Sequence, residues 1–232
     1  MNYHVSKTGS DLNPGTESKP FLTISKAAYV AKPGDVITVH GGVYREWVSP
    51  KCGGTKAQPT VYQAAEGEKV VIKGSEVITD WERDGNIWKT VIDNKFFGDF
   101  NPYSEVLFGD WLFTRDRKFH LGEVYLDGHA MYEAVSVEDV RDPKKSKTSL
   151  EPEFSIYTWY AEVDERCTTI YANFHGEDPR NGNVEINVRR FCFWPANPGC
   201  NYITVRGFTM QHAATQWAPP TALQEGLIGP HW

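Results

Sequence analysis

Apolar and polar residues alternate in short runs along most of this chain, and the length and make-up of those runs change twice. Near the N-terminus, LTISKAAYVAKPGD breaks the alternation. Ile24, Ala27, Ala28 and Ala31 fall on one face at helical spacing, Thr23 precedes them as an N-cap, and Pro33-Gly34 ends the run. The pattern predicts a short amphipathic helix able to cover an apolar surface. DVITVHGGVY, PTVYQAAEG and EKVVIKGS follow, each a β-branched or aromatic run that ends at a Gly or polar corner. None has the two-residue Asn-Gly turn of a tight hairpin. Strand-and-corner units without intervening helices predict a parallel β-solenoid, its open end capped by the preceding helix.

From about Thr79 the runs lengthen and become rich in Trp and Tyr: DWERDGNIWKTVI, EVLFGDWLFTR, GEVYLDGHAMYEAV, IYTWYAEV and TTIYANFHG. Polar turns separate them, which predicts an antiparallel β-sandwich of about five or six strands. The stretch VEDVRDPKKSKTSLEPEFS, from Val137, reads as an exposed charged loop. After Asn183 the short strand-and-corner pattern returns with VEINVRR and NYITVRGFTM. The expected fold is all-β in three segments: residues 1–78 as cap and first solenoid turns, 79–183 as an inserted sandwich, and 184–232 as the return to the solenoid.

Composition narrows the partners. A formal net charge of −6 over 232 residues argues against a nucleic-acid ligand. No segment approaches the roughly 18 consecutive apolar residues of a membrane helix. The opening MNYHVSKTGSD lacks a charged stretch followed by an apolar one, so the expectation is a cytoplasmic protein. Cys52, Cys167, Cys192 and Cys200 form no CxxC or zinc spacing; Cys192 and Cys200 flank a turn, but reduced thiols are the favoured reading. HExxH, GxxxxGK[ST] and calcium-loop spacings are all missing, so neither a metal nor a cofactor is expected.

The stretch YHVSKTGSDLNPGTESKPFLTISKAAYVAKPGDVITVHGGVYREWV resembles the start of right-handed parallel β-helix proteins that act on polysaccharides. More narrowly, FFGDFNPY, EVLFGDWLFTR, GEVYLDG, WYAEVDERCTTIYANF, VEINVRR and HAATQWAPPTALQEGLIGPHW resemble glycoside hydrolase family 120. That family comprises β-xylosidases whose right-handed parallel β-helix is interrupted by a β-sandwich. The resemblance runs in order over essentially the whole chain. It implies a neutral saccharide, a xylo-oligosaccharide, as substrate. Because members run far beyond this length, it also implies that the chain is the front portion of a larger enzyme.

Retaining glycosidases need two carboxyl groups about 5–5.5 Å apart. The resemblance places both beyond the segment matched here, so no catalytic residue is assigned and the isolated chain is expected to be inactive. Asp110, Asp127, Glu177, Asp178 and Glu225 lie near turns, where acids ordinarily bond turn N–H groups. For sugar binding, aromatic planes and fixed polar groups are wanted. The candidates are Trp111, Trp194 with Asn197, and His212, Gln216 and Trp217 in the loop after Met210. Each tryptophan has an alternative role in packing, since Trp is highly buried on average. A non-catalytic saccharide-binding module is the alternative function. An uncapped solenoid end would leave an unpaired edge, so self-association through it is also expected.

Overall fold

The computed structural model describes residues 1–109, 112–113, 117–216 and 225–229. These residues are mostly strands with few helices, an all-β chain, and they divide into two compact units. Of the described residues, the first unit holds 1–74, 189–215 and 225–229; the second holds those of 75–188 together with 216.

In the first unit the strands stack in two parallel ladders. One takes β1 (Asn2–Val5), β2 (Val36–Val39), β4 (Thr60–Ala64) and β15 (Ile203–Arg206), in that order. The other takes β3 (Gly42–Arg45), β5 (Val70–Lys73) and β16 (Phe208–Gln211). Registers hold like residues in columns: Tyr3, Ile37, Tyr62 and Val205 in the first ladder, and Tyr44, Ile72 and Met210 in the second. Since alternate strand side chains share a face, these columns form the core with Val5, Val39 and Val70. Ile37, Tyr44, Tyr62 and Ile72 are fully buried. Their counterparts Val205 and Met210, on the outermost strands, are only half-buried.

The predicted helix is α1 (Ile24–Val30), with Ile24, Ala27 and Ala28 buried. Thr23 Oγ1 accepts from Lys26 N at 3.0 Å, while the Glu46 carboxylate accepts from the N–H groups of Ile24 (3.0 Å) and Ser25 (2.7 Å). Three of the N–H groups that a helix start leaves open are thereby satisfied.

One polar atom in this core lacks a partner: the Tyr62 hydroxyl is buried with no hydrogen bond. A buried unmade hydroxyl costs about 1–3 kcal/mol. Tyr62→Phe should therefore raise stability by about 1 kcal/mol, read as a higher urea midpoint with unchanged slope. A lower midpoint would show that the hydroxyl has a partner after all.

The second unit contains two sheets. The larger is ordered β11 (Tyr132–Glu133), β12 (Thr158–Val163), β13 (Cys167–Asn173), β8 (Ile87–Asp93) and β7 (Glu82–Asp84), antiparallel except for the β11–β12 pair. The smaller is ordered β10 (His129–Ala130), β9 (Val124–Leu126), β14 (Val184–Asn187) and β6 (Ser75–Val77), antiparallel throughout. Trp88, Trp159 and Ile170 from the larger sheet share one core with Val124, Leu126, Val184 and Ile186 from the smaller. Trp81 and Phe174 meet edge-on there at 5.1 Å.

Three local expectations differ from the structure. VEINVRR does not rejoin the parallel ladders: Val184–Asn187 pairs antiparallel with β6 and β9. Its alternation suits either partner, and burial of all four residues is met in the second unit's core. The described residues of EVLFGDWLFTR form no long strand; Val106 makes an isolated antiparallel bridge to His120. The charged stretch from Val137 is also not all loop. It opens with α2 (Val137–Arg141), capped by Ser136 Oγ on Asp139 N at 3.2 Å and tied by Arg141 to Asp84 at 2.6 Å.

Candidate functional site

The predicted sugar-binding residues fall in different settings. Trp194 is buried, its ring stacked on Phe191 at 4.4 Å, while its carbonyl accepts from Trp47 Nε1 at 2.8 Å. That is the packing role, in the first unit. Asn197 is exposed on the following turn. His212 sits just after β16 with a left-handed backbone, φ 58°. Gln216 belongs to the second unit, where its Oε1 accepts from Phe108 N and its Nε2 donates to Val106 O, both at 2.9 Å. Its amide thus clips the 106–108 backbone, which leaves Phe108 exposed. Trp111 and Trp217 lie outside the described residues, as does Asp110.

Of the remaining acids near turns, Asp127, Glu177 and Asp178 are engaged by nearby donors. Asp127 Oδ1 accepts from Asn183 N at 3.1 Å, and Glu177 accepts from the Tyr157 hydroxyl at 3.0 Å. Hydrogen bonds from Arg180 hold the Asp178 carboxyl down at about 2. Glu225 has a buried Oε2 with no hydrogen-bond partner. All four cysteines are free; Cys192 donates to the carbonyls of Ile72 and Gln211, and burial pushes its thiol up to about 11. It therefore stays protonated and unreactive at neutral pH.

Two concavities stand out. In the first unit a groove of about 540 Å³ runs beside β15, lined by Phe193, Tyr202, Ile203, Val205 and Ile228. Its lining mixes apolar side chains with the polar Asn201 and Tyr202, and it carries no carboxylate or basic group among the lining residues. In the second unit a cavity of about 800 Å³ gathers Arg117, His120, Glu123, His129, Glu133, Glu151 and the wall residue Trp159. Sequence reading misses this set because its members are scattered over some forty positions with no motif spacing.

The cavity's groups are ordered by mutual contacts. Glu133 Oε2 accepts from His120 N at 3.1 Å and Oε1 meets His120 Nδ1 at 2.6 Å. An ionised carboxylate can only accept, so Nδ1 carries the proton and Nε2 is left to face other partners. His129 pairs with Glu151 and stacks flat on Phe154 at 3.8 Å. Arg117 Nη2 donates to the Glu133 carbonyl at 2.7 Å, and the guanidinium lies over Phe119 at 4.0 Å. Glu123 accepts from the Tyr125 hydroxyl, whose ionisation is pushed far upward first by burial and then by that carboxylate. Two donors are left over. Arg117 Nε and Trp159 Nε1 are buried without any hydrogen bond, and Trp159 is only 1% exposed. Each unmade bond of this kind costs about 1–3 kcal/mol. Among the described residues, no group of three or more His, Cys, Asp or Glu could hold a metal ion.

Comparison with known proteins gives the chain its relatives. The family model described as glycoside hydrolase 120, insertion domain, matches residues 78–186, and a domain of unknown function, DUF1565, matches residues 7–50. The solved complex of XylC with xylose is similar over 100% of this chain and 38% of its own, with 56% identity and a TM-score of 0.96. The uncharacterized protein YwoF of Bacillus subtilis (strain 168) is 39% identical over 74 residues, 32% of this chain and 16% of YwoF. Pectate lyase PEL9 of Emericella nidulans is 37% identical over 76 residues, 32% of this chain and 18% of PEL9. The chain thus spans about two fifths of XylC and under a fifth of either curated relative.

Proposed function

Because the chain belongs to glycoside hydrolase family 120, as an N-terminal portion of that kind of enzyme, we propose that it supplies the entry layers and inserted sandwich of a retaining β-xylosidase acting on xylo-oligosaccharides. In this reading the two parallel ladders are the first turns of a right-handed parallel β-helix. The antiparallel unit is the sandwich that interrupts it. The observation that carries the proposal is the match to the xylose-bound XylC structure over 100% of this chain. The half-burial of Val205 and Met210 supports it, since inward-facing residues of β15 and β16 gain full burial when another layer stacks on them.

Hydrolysis with retention needs one carboxylate to attack the anomeric carbon and a second carboxyl to protonate the departing oxygen, then activate water. Within this chain Asp127, Glu177 and Asp178 are committed to turns, a hydroxyl and an arginine. The proposal assigns the reacting pair to later turns of the family's β-helix and gives these 232 residues the role of folding base and binding wall.

The test is a chimera in which residues 1–232 replace the matching portion of XylC, assayed on an aryl β-xyloside. The expected result is turnover within about tenfold of the parent, a margin of about 1.4 kcal/mol, with none from the 232-residue chain alone. A folded but inert chimera, or turnover by the chain alone in proportion to its concentration, would overturn the reading.

A further inference from the structure

The cavity of the second unit holds more binding capacity than its internal contacts use. Glu133 is occupied by His120, Glu151 by His129, and Glu123 accepts from Tyr125. What remains is His120 Nε2, fixed in direction by Glu133, and the two buried donors Arg117 Nε and Trp159 Nε1. These are groups that want oxygen partners. Charge selects which oxygens. Among the described residues, three carboxylates and one guanidinium line the space, and the two imidazoles can at most bring that total to neutral. The described lining of this cavity is not net positive, so a carboxylate or phosphate ligand meets repulsion there. Hydroxyl groups, which both donate and accept, match every group present. The volume, about 800 Å³, falls in the range that takes a small organic ligand.

We propose that this cavity is a binding site for a neutral saccharide, with hydroxyl oxygens accepting from Trp159 Nε1 and Arg117 and a hydroxyl proton donated to His120 Nε2. The site lies wholly within the second unit and goes beyond the hydrolase reading, because it needs neither the reacting carboxylates nor any further turn of the fold. Glu133 acts here as a positioning residue: it sets the imidazole's tautomer and does not touch the sugar.

The experiment is a titration of the 232-residue chain with xylotriose, followed by the indole N–H resonances in a ¹⁵N–¹H spectrum. Trp159→Phe, which keeps an aromatic ring but removes the N–H, assigns the signal by its disappearance. The Trp159 resonance is expected to shift saturably, and His120→Gln to weaken the apparent affinity about tenfold, as the loss of a hydrogen bond to the ligand does. His120 has a partly exposed side chain, so this variant tests the site without opening the core. Glucuronate serves as the anionic comparison and should bind more weakly than xylotriose. A Trp159 resonance that stays still or drifts without saturating, an affinity unchanged by His120→Gln, or tighter binding of glucuronate would each overturn the proposal. Because the readout is binding and not turnover, an inert chimera in the hydrolysis assay leaves this result standing, and the reverse holds equally.

Discussion

Gly53→Ala should destabilise the first unit severely, whereas Gly67→Ala should cost little. The two glycines are constrained by different physics. A Cβ at Gly53 would lie 2.0 Å from the Asn201 carbonyl oxygen and 2.8 Å from the Cys200 carbonyl carbon. Both obstacles are backbone, and that backbone is pinned: Gly54 N donates to Asn201 O at 2.8 Å, and Thr60 N donates to Tyr202 O at 3.0 Å. No side-chain rotation can relieve the overlap, so about 1 Å of main-chain movement is required, on the order of 4 kcal/mol of distortion. At Gly67 the φ of +75° is the whole difficulty, since nothing lies within 4 Å of the added carbon. A left-handed alanine costs about 1–2 kcal/mol. Parallel thermal melts check the contrast, with a drop of about 8–16 °C expected for Gly53→Ala and roughly half or less for Gly67→Ala. Equal losses would mean that the Asn201 segment gives way more easily than its hydrogen bonds indicate.

The second large effect is expected at Phe193. Its ring is 2% exposed and meets Tyr62 edge-on at 5.0 Å, in the same core as Ile37 and Ile72. Its backbone bridges Val48 on one side and Ile228 on the other, so the main chain stays put when the ring is removed. A cavity held open in this way is the expensive kind: Phe193→Ala should lose about 3–5 kcal/mol. Phe193 also lines the groove beside β15, so the emptied volume joins that groove and admits water. Urea unfolding gives the measurement, with Phe193→Leu recovering most of the loss. A change under about 1 kcal/mol for the alanine variant would show that the groove collapses onto Tyr62 and closes the space.

Much of this architecture is legible in the amino-acid sequence wherever local chemistry is unambiguous. Thr23, the Ile24–Ala27–Ala28 face and the Pro33-Gly34 stop define α1, and its cap and buried face are those residues. The short β-branched runs mark out β2 to β5, β15 and β16. Alternation says which residues share a face, not which strand lies alongside, and that is why the pattern of Val184–Asn187 points to the wrong sheet. The stretch around α2 is obscured by its charges, although Ser136 and the acids after it form an ordinary helix start. Site residues are harder still. Trp194 and Trp159 look alike in sequence, yet one stacks on Phe191 with its indole enclosed and the other carries an unmet donor at a cavity wall. The partnership of Arg117, His120 and Glu133 depends on where residues 117–120 pass β11, which no spacing rule encodes.

The antiparallel pairing of Ser75 with Asn187 alters the chain entropy of the parallel ladders. Along the first ladder Asn2 pairs with Val36 and Val36 with Val61, so ordinary connections enclose 34 and 25 positions. Thr60 then pairs with Ile203, which encloses 143. Formed directly from an open chain, that contact would be by far the slowest to close. Once Ser75 and Asn187 are neighbours, however, the 112 positions between them drop out of the path and only 31 remain. By the logarithmic dependence of closure entropy on length, this shortcut lowers the cost by about 1.4 kcal/mol, near tenfold in probability. The long excursion then becomes a connection of ordinary length, and a ladder interrupted in sequence can continue stacking as if the interruption were absent.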